Sequence, residues 1–311
     1  MREERIYAII VTYNGRKWMD YCLNSLQTSS VATTTIVVDN HSMDGSIDYI
    51  RKNYPEVILL PQNQNLGFGQ ANNIGIMYAL EHDATHILLL NQDAAIQKDT
   101  LAKLLEHDDG KNLLTPIHLN GNGQHVDVNF YSKTICESTT LHGITEEMLL
   151  KDMPEEIYPI SYVNAACWFL PANIIRQVGG FNPLFLHYGE DDNYIHRITY
   201  HTFGLRLVAD TYIWHDREQH GNEKVYREGL LYRRLLLVHT NINNTGIERC
   251  LKATKLIIQN LGRATKRHYL LRCLEDFVSA LRQLIHNRKE IHQSRTKERK
   301  PGLTWLTNNE L

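Results

Sequence analysis

Four short polar stretches, each closing an apolar run, hold the residues best suited to chemistry: "VTYN" at 11–14, "VVDN" at 37–40, "NLGFGQANN" at 65–73 and "NQDA" at 91–94. A pyrimidine ring carries an N–H between two carbonyls. A carboxylate such as Asp39 can accept that hydrogen bond while backbone amides serve the carbonyls. Gly67 and Gly69 would let the chain come close to a phosphate or sugar, although a lone "GFG" also suits an ordinary turn. Asp39, Asn65 and Asp93 each stand at or just after an apolar run. Any one of them could merely begin a loop; three in succession point to one ligand-binding edge.

The elements that must carry these residues follow from periodicity. "RIYAIIV", "TTTIVVDN", "EVILLPQN" and "THILLLNQD" are short runs rich in β-formers. Between them, 14–29, about 46–53 and 67–82 show helical spacing. Strand alternating with helix predicts a mostly parallel, Rossmann-like sheet with helices on both faces, and such sheets bind ligands at the carboxyl ends of their strands. From 110 to 165 the rhythm breaks into short pieces expected to be β-like ("LLTPI", "HVDVNFY", "IYPISYV"). A regular block then returns: a helix near Pro171 stopped by Gly179–Gly180, "HYGEDDNYIHR", and the strand-like "LRLVADTYIWHD". Beyond 223 the pattern is helical. Leu270, Leu271, Leu274, Phe277, Val278, Leu281, Leu284 and Ile285 form one apolar stripe, and "HQSRTKERKPG" reads as a low-complexity, mobile end.

This order of motifs, from about residue 5 to 216, resembles family 2 glycosyltransferases, inverting enzymes of the GT-A fold. "IIVTYNGRKWMDYCLNSL" is similar to that family's first strand and helix, "IVVDNHSMDGS" to its nucleotide-binding Asp segment, and "NQNLGFGQANNIGI" to its N-x-G-f-x-x-A-N-N-x-G stretch. "ILLLNQDA" falls where the family has its D-x-D or a variant, and "GGFNPLFLHYGEDDNYIHR" resembles its later acidic block. The resemblance implies nucleotide-binding roles for Thr12, Tyr13, Asp39, Asn65, Gly67 and Asn91. It implies Glu190 and Asp191 as the catalytic acidic pair, with Asp191 the general base, and Asp93 and His215 as metal ligands. The implied cofactor is a divalent cation, Mn2+ or Mg2+, with an imidazole ligand favouring Mn2+. The implied donor is a dTDP- or UDP-linked sugar; dTDP-rhamnose is among the candidates because "LLLNQDA" is most similar to rhamnosyltransferase-like members. The acceptor would be a glycan or a lipid-linked oligosaccharide of surface polysaccharide synthesis. Asn91, Asn182 and Asn193 stand where the family usually has Asp, and an amide is a poor ligand for a hard cation. These departures keep open a second reading, a catalytically silent nucleotide-binding partner subunit. Trp168, His187 and Tyr188 are expected to line the cleft.

Composition narrows the remaining classes. No run of about 18 uncharged apolar residues suggests a membrane span, and "MREERIYAIIVTYN" reads as a first strand and not as a signal peptide. Five widely spaced cysteines without a CxxC pair fit free thiols in a reducing cytoplasm. "VTYNGR" after the first strand lacks the G-x-G-x-x-G turn of NAD-dependent enzymes. Charge is asymmetric: residues 217–300 hold 19 Lys and Arg against 8 Asp and Glu, while residues 1–216 hold 14 against 26. The expected organisation is a catalytic domain over 1–222, with a nucleotide half at 1–109 and an acceptor half at 110–222, followed by a basic helical extension over 223–311. That extension suits three uses: peripheral contact with the inner face of the cell membrane, a cap on the catalytic domain, or a homo-oligomer interface. Sparse aromatics and no known motif argue against nucleic acid as a partner.

Overall fold

The computed structural model describes residues 4–151, 153–217, 229–266 and 270–307. Four strands, β1 (Ile6–Thr12), β2 (Thr34–Asp39), β3 (Ile58–Pro61) and β4 (His86–Leu90), pair in parallel in the order 3-2-1-4. The intervening helices are α1 (Met19–Gln27), α2 (Ser46–Asn53) and α3 (Gly67–Glu81). Side chains alternate across the sheet: Ile6, Ala8, Ile10, Val37, Leu88 and Leu90 meet α1 and α2, whereas Tyr7, Ile9, Ile36, Val38, Ile87 and Leu89 meet α3. Both faces are covered, which is why these strands read as nearly unbroken apolar runs.

The second half turns the sheet mixed. After β5 (Ala94–Ile96) and α4 (Thr100–Glu106) comes β6 (Asn112–Asn120), then a short α5 (Val128–Phe130) that runs into a π turn at Tyr131–Cys136, α6 (Glu146–Lys151), β7 (Ile157–Pro159) and β8 (Cys167–Pro171). β8 lies antiparallel between β4 and β6. The expected β character of "HVDVNFY" holds only at Val126, which bridges Leu119. Asp127 then caps a helical turn by accepting from the Phe130 N–H at 2.8 Å, and this local bond wins over strand pairing.

α7 (Ala172–Val178) is stopped by Gly179 at φ 83°, and α8 (Glu190–Tyr200) leads into β9 (Gly204–His215). β9 runs parallel to β6 with a register shift between Pro116 and Ile117. That bulge is pinned by α4: the Thr211 hydroxyl donates to Thr100 Oγ1 at 3.0 Å, and Lys103 pairs with Asp210 at 3.1 Å. Bulges bend a strand and re-aim its end, and here the end of β9 is brought antiparallel to β5.

The basic extension forms α9 (Leu230–Thr240), α10 (Gly246–Lys266), α11 (Leu270–His286) and α12 (Arg288–Glu298). Residues 223–228, 267–269 and 308–311 of that region lie outside the described residues. The end of the chain that reads as mobile is instead packed under the catalytic half. Ser294, Arg295 and Glu298 are buried, Leu306 joins the main core, and the Gly180 N–H donates to Thr304 O at 2.8 Å. Glu298 meets Arg197 of α8 at 3.6 Å with both side chains wholly buried. Hydrophilic composition misled here because the polar groups are satisfied inside: the Asn182 amide donates to Ser294 Oγ and to Glu298 Oε1, each at 2.7 Å. All five cysteines are free, and no described helix is long and apolar enough to cross a membrane.

Candidate active site

The parallel register sets Thr12 beside Asp39 at the carboxyl ends of β1 and β2. Asp39 is fully buried. Its Oδ1 accepts from the Ser42 N–H at 2.9 Å, and its Oδ2 has no hydrogen-bond partner. A buried carboxylate oxygen without a donor is costly, so its presence argues for a ligand that supplies one. Asn40 ties this strand end to α3, donating to Gly67 O at 3.0 Å and accepting from the Leu66 N–H at 3.1 Å. Asn65, exposed, accepts from the Gly67 N–H at 2.9 Å and so shapes the α3 entry. The close approach that needs glycine is to protein: a Cβ on Gly67, at φ 77°, would stand 2.2 Å from Leu186 O, and one on Gly69 would stand 2.9 Å from Phe181 Cβ.

The turn after β4 is held by both halves of the sheet. The Asn91 N–H donates to Ala166 O at 2.9 Å, and the Gln92 side chain reaches back to β1, where its Oε1 accepts from the Thr12 hydroxyl at 2.7 Å and the Tyr13 N–H at 3.1 Å. Asp93 is placed by the β5–β9 ladder, in which Ala94 faces His215 and the Asp216 N–H donates to Asp93 O at 2.8 Å. His215 Nε2 consequently lies 3.3 Å from Asp93 Oδ1 and 3.4 Å from Asn91 Nδ2, with the imidazole buried. On its other side Nδ1 faces Asp127 Oδ2 at 3.6 Å, and that carboxylate also takes the Arg217 Nε–H at 3.1 Å. Burial alone would raise the Asp127 pKa, but Arg217, the Phe130 N–H and His215 hold it below the ordinary carboxylate value. Nearby His118 is pushed down to about 3, chiefly by burial, and stays neutral.

The third group is the acidic start of α8, after Gly189 at φ 98°. Asp191 Oδ2 accepts from the Tyr162 hydroxyl at 3.1 Å, and its Oδ1 accepts from the Asp192 N–H at 2.9 Å. Glu190 is buried beside α3, where a Cβ on Gly69 would meet its Cβ at 3.6 Å. Burial, and secondarily the Asp191 charge, push Glu190 up to about 8; the same two causes push Asp192 up to about 7. Glu190 thus carries its proton at neutral pH, which suits a hydrogen-bonding role better than that of a base.

Sequence-predicted residues therefore meet in three places: Thr12 and Asp39; Asn91, Asp93 and His215; and Glu190 with Asp191. Trp168 departs from expectation. It is fully buried, stacked on Phe181 at 5.9 Å, and lines no cleft, whereas His187 and Tyr188 are exposed. Sequence reasoning missed Gln92, Asn40, Asp127 and Tyr162. Only Asp127 carried a local signal, its capping position; the others act through contacts distant in sequence. Among the described residues no group of three or more His, Cys, Asp or Glu converges as a metal cage; Asp93 and His215 face each other as a pair.

The model of glycosyl transferase family 2 matches residues 7–126. The low-salt glycan biosynthesis hexosyltransferase Agl10 of Haloferax volcanii is 23% identical over 228 residues, 72% of each chain. The dTDP-rhamnosyl transferase RfbF of Shigella flexneri is 31% identical over 123 residues, 39% of this chain and 40% of that one. Among solved structures, S. aureus TarS 1-349 in complex with UDP-GlcNAc superposes with a TM-score of 0.57 at 17% identity, covering 94% of this chain and 90% of that one. The mannosyltransferase PcManGT from Pyrobaculum calidifontis, in complex with GDP-Man and Mn2+, gives 0.56 at 15% identity over 96% and 85%. At such identities the likeness is one of fold.

Proposed function

The chain belongs to glycosyltransferase family 2 and is a glycosyltransferase, and from that premise we propose that it moves a hexose from a nucleoside diphosphate to a hydroxyl of a glycan or lipid-linked oligosaccharide, inverting the anomeric carbon. A dTDP- or UDP-linked donor suits the base edge, because the partnerless Asp39 Oδ2 is an acceptor for a pyrimidine N–H. That buried oxygen is the observation that carries the reading.

Asp93 Oδ1 and His215 Nε2 face each other at a distance that two ligands of one ion can span by small side-chain shifts, so they would hold a divalent cation, Mn2+ or Mg2+. When bound, such an ion neutralises the charge growing on the departing diphosphate. Asn91, beside both, is left for the sugar, the ribose or a bound water. Gln92 fixes the turn that carries Asp93 against the base-binding loop. Asp191, oriented by the Tyr162 hydroxyl, takes the acceptor hydroxyl proton as that oxygen bonds to the anomeric carbon and the sugar–phosphate bond breaks, its electron pair leaving with the diphosphate.

Thermal-shift measurements with UDP-, dTDP- and GDP-sugars, with and without Mn2+, test this reading. One pyrimidine donor class should raise Tm by mass action in the wild type and fail to do so in Asp39→Asn. In that variant the amide can keep the Ser42 bond only by turning its N–H2 toward the base N–H. A wild type indifferent to every nucleotide sugar, or an Asp39→Asn that responds equally, would sink the assignment.

A further inference from the structure

α10 and α11 pack together and onto α9 through one side of each helix. On α11 that side is Cys273, Phe277, Ala280 and Leu284; on α10 it includes Ala253, Leu256 and Ile257. The apolar stripe expected from sequence therefore divides. Leu271, Leu274, Val278, Leu281 and Ile285 point away from the bundle, and Leu271 is 80% exposed. On α10, Ile247, Leu251 and Ile258 are likewise exposed, the first by 76%. Large apolar side chains recurring at helical spacing on the outside of two neighbouring helices are a surface in want of a partner.

Charge decides which partner. Residues 246–289 carry 10 Lys and Arg against 3 Asp and Glu, namely Glu248, Glu275 and Asp276. At the end of the α11 stripe a cavity of about 490 Å³ is lined by Arg282, Ile285, His286, Arg288 and Lys289. Apolar residues ending in a cationic hollow match a lipid surface, where acyl chains lie below phosphate-bearing headgroups. A second copy of the chain would bring like charges together at the same face. Because no described helix can cross a bilayer, the helices would lie along it.

We propose that the outer face of α10 and α11 docks on an anionic membrane, with Leu274, Val278, Leu281 and Ile285 entering the headgroup boundary and Arg282, Arg288 and Lys289 receiving lipid phosphates. This surface is independent of the transfer chemistry, since binding to vesicles needs neither donor nor acceptor.

The test is cosedimentation of the full chain with vesicles of phosphatidylcholine, with and without phosphatidylglycerol. Wild type should prefer the anionic vesicles. Arg282→Glu with Lys289→Glu should weaken that binding by about twenty-five-fold or more, at roughly fivefold per cation removed. Val278→Asp with Leu281→Asp, at exposed positions that leave the melting temperature unchanged, should lose it to a similar extent. Unaltered binding by either pair, or equal binding to neutral vesicles, overturns the proposal. So does a concentration-dependent dimer that Val278→Asp with Leu281→Asp disperses, since a second copy would then occupy the face.

Discussion

Glu190 and Asp191 are neighbours in sequence with different surroundings, and their variants should differ accordingly. Asp191→Asn should keep donor binding yet lower the turnover rate by about a hundredfold or more, the scale of a lost general base; steady-state kinetics with donor and acceptor varied separately would show it. Glu190 is a question of stability. Its folded pKa, near 8, stands above its ordinary value of 4.5, so the native state holds a proton that the unfolded chain releases. Stability linked to that proton is complete below about 4.5 and is lost as pH rises through about 8. Melting curves on either side of pH 8 should show a fall in wild type that Glu190→Gln flattens, and a variant with the wild-type slope would refute the linkage. The positions of Asp39, Asp93 and His215 are legible because each stands at or just after an apolar run, and that of Asp191 because it lies in the acidic start of a helical block. Gln92 and Tyr162 are not, because what they do depends on Thr12, 80 positions away, and on Asp191, 29 away.

Among the elements, β9 does the most to assemble the site: its bulge delivers His215 to the strand that begins beside Asp93. Lys103→Ala and Thr211→Val together should loosen that bulge and, on the reading proposed above, weaken the Mn2+-dependent thermal shift while leaving a metal-free nucleotide shift in place. α12 contributes differently. Arg197 also donates to Val178 O at 2.9 Å and to Gly180 O, and Glu298, 3.6 Å from its Nε, supplies the opposing buried charge. Glu298→Ala should cost about 3–5 kcal/mol, the usual penalty for stranding a buried charge, readable in urea unfolding. Periodicity made the first four strands and α1–α3 plain. It failed at 125–131, where one Asx cap outweighs alternating apolar residues, and at 288–300, where burial of polar groups leaves no hydrophobic trace.

For the whole molecule, the expected mostly parallel sheet and C-terminal helices are present, and what composition hid is how closely the last segment is joined to the first. A chain truncated after residue 222 would lose Glu298, Ser294 and Leu306 from the underside of α7 and α8. We expect it to be insoluble or to melt without a cooperative transition, whereas exposed-face variants on α11 should fold normally; circular dichroism melts distinguish the two. Thr304 bears on a further matter. Its backbone fills the space where a Cβ on Gly179 would go, and it anchors Gly180 just ahead of the acidic block. During synthesis at about 5–20 residues per second, the β1–β4 half has many seconds to fold before residue 304 is made. The helix bearing Asp191 follows directly on that anchored segment, so a nascent chain would form the β1–β4 edge well before Asp191 is seated.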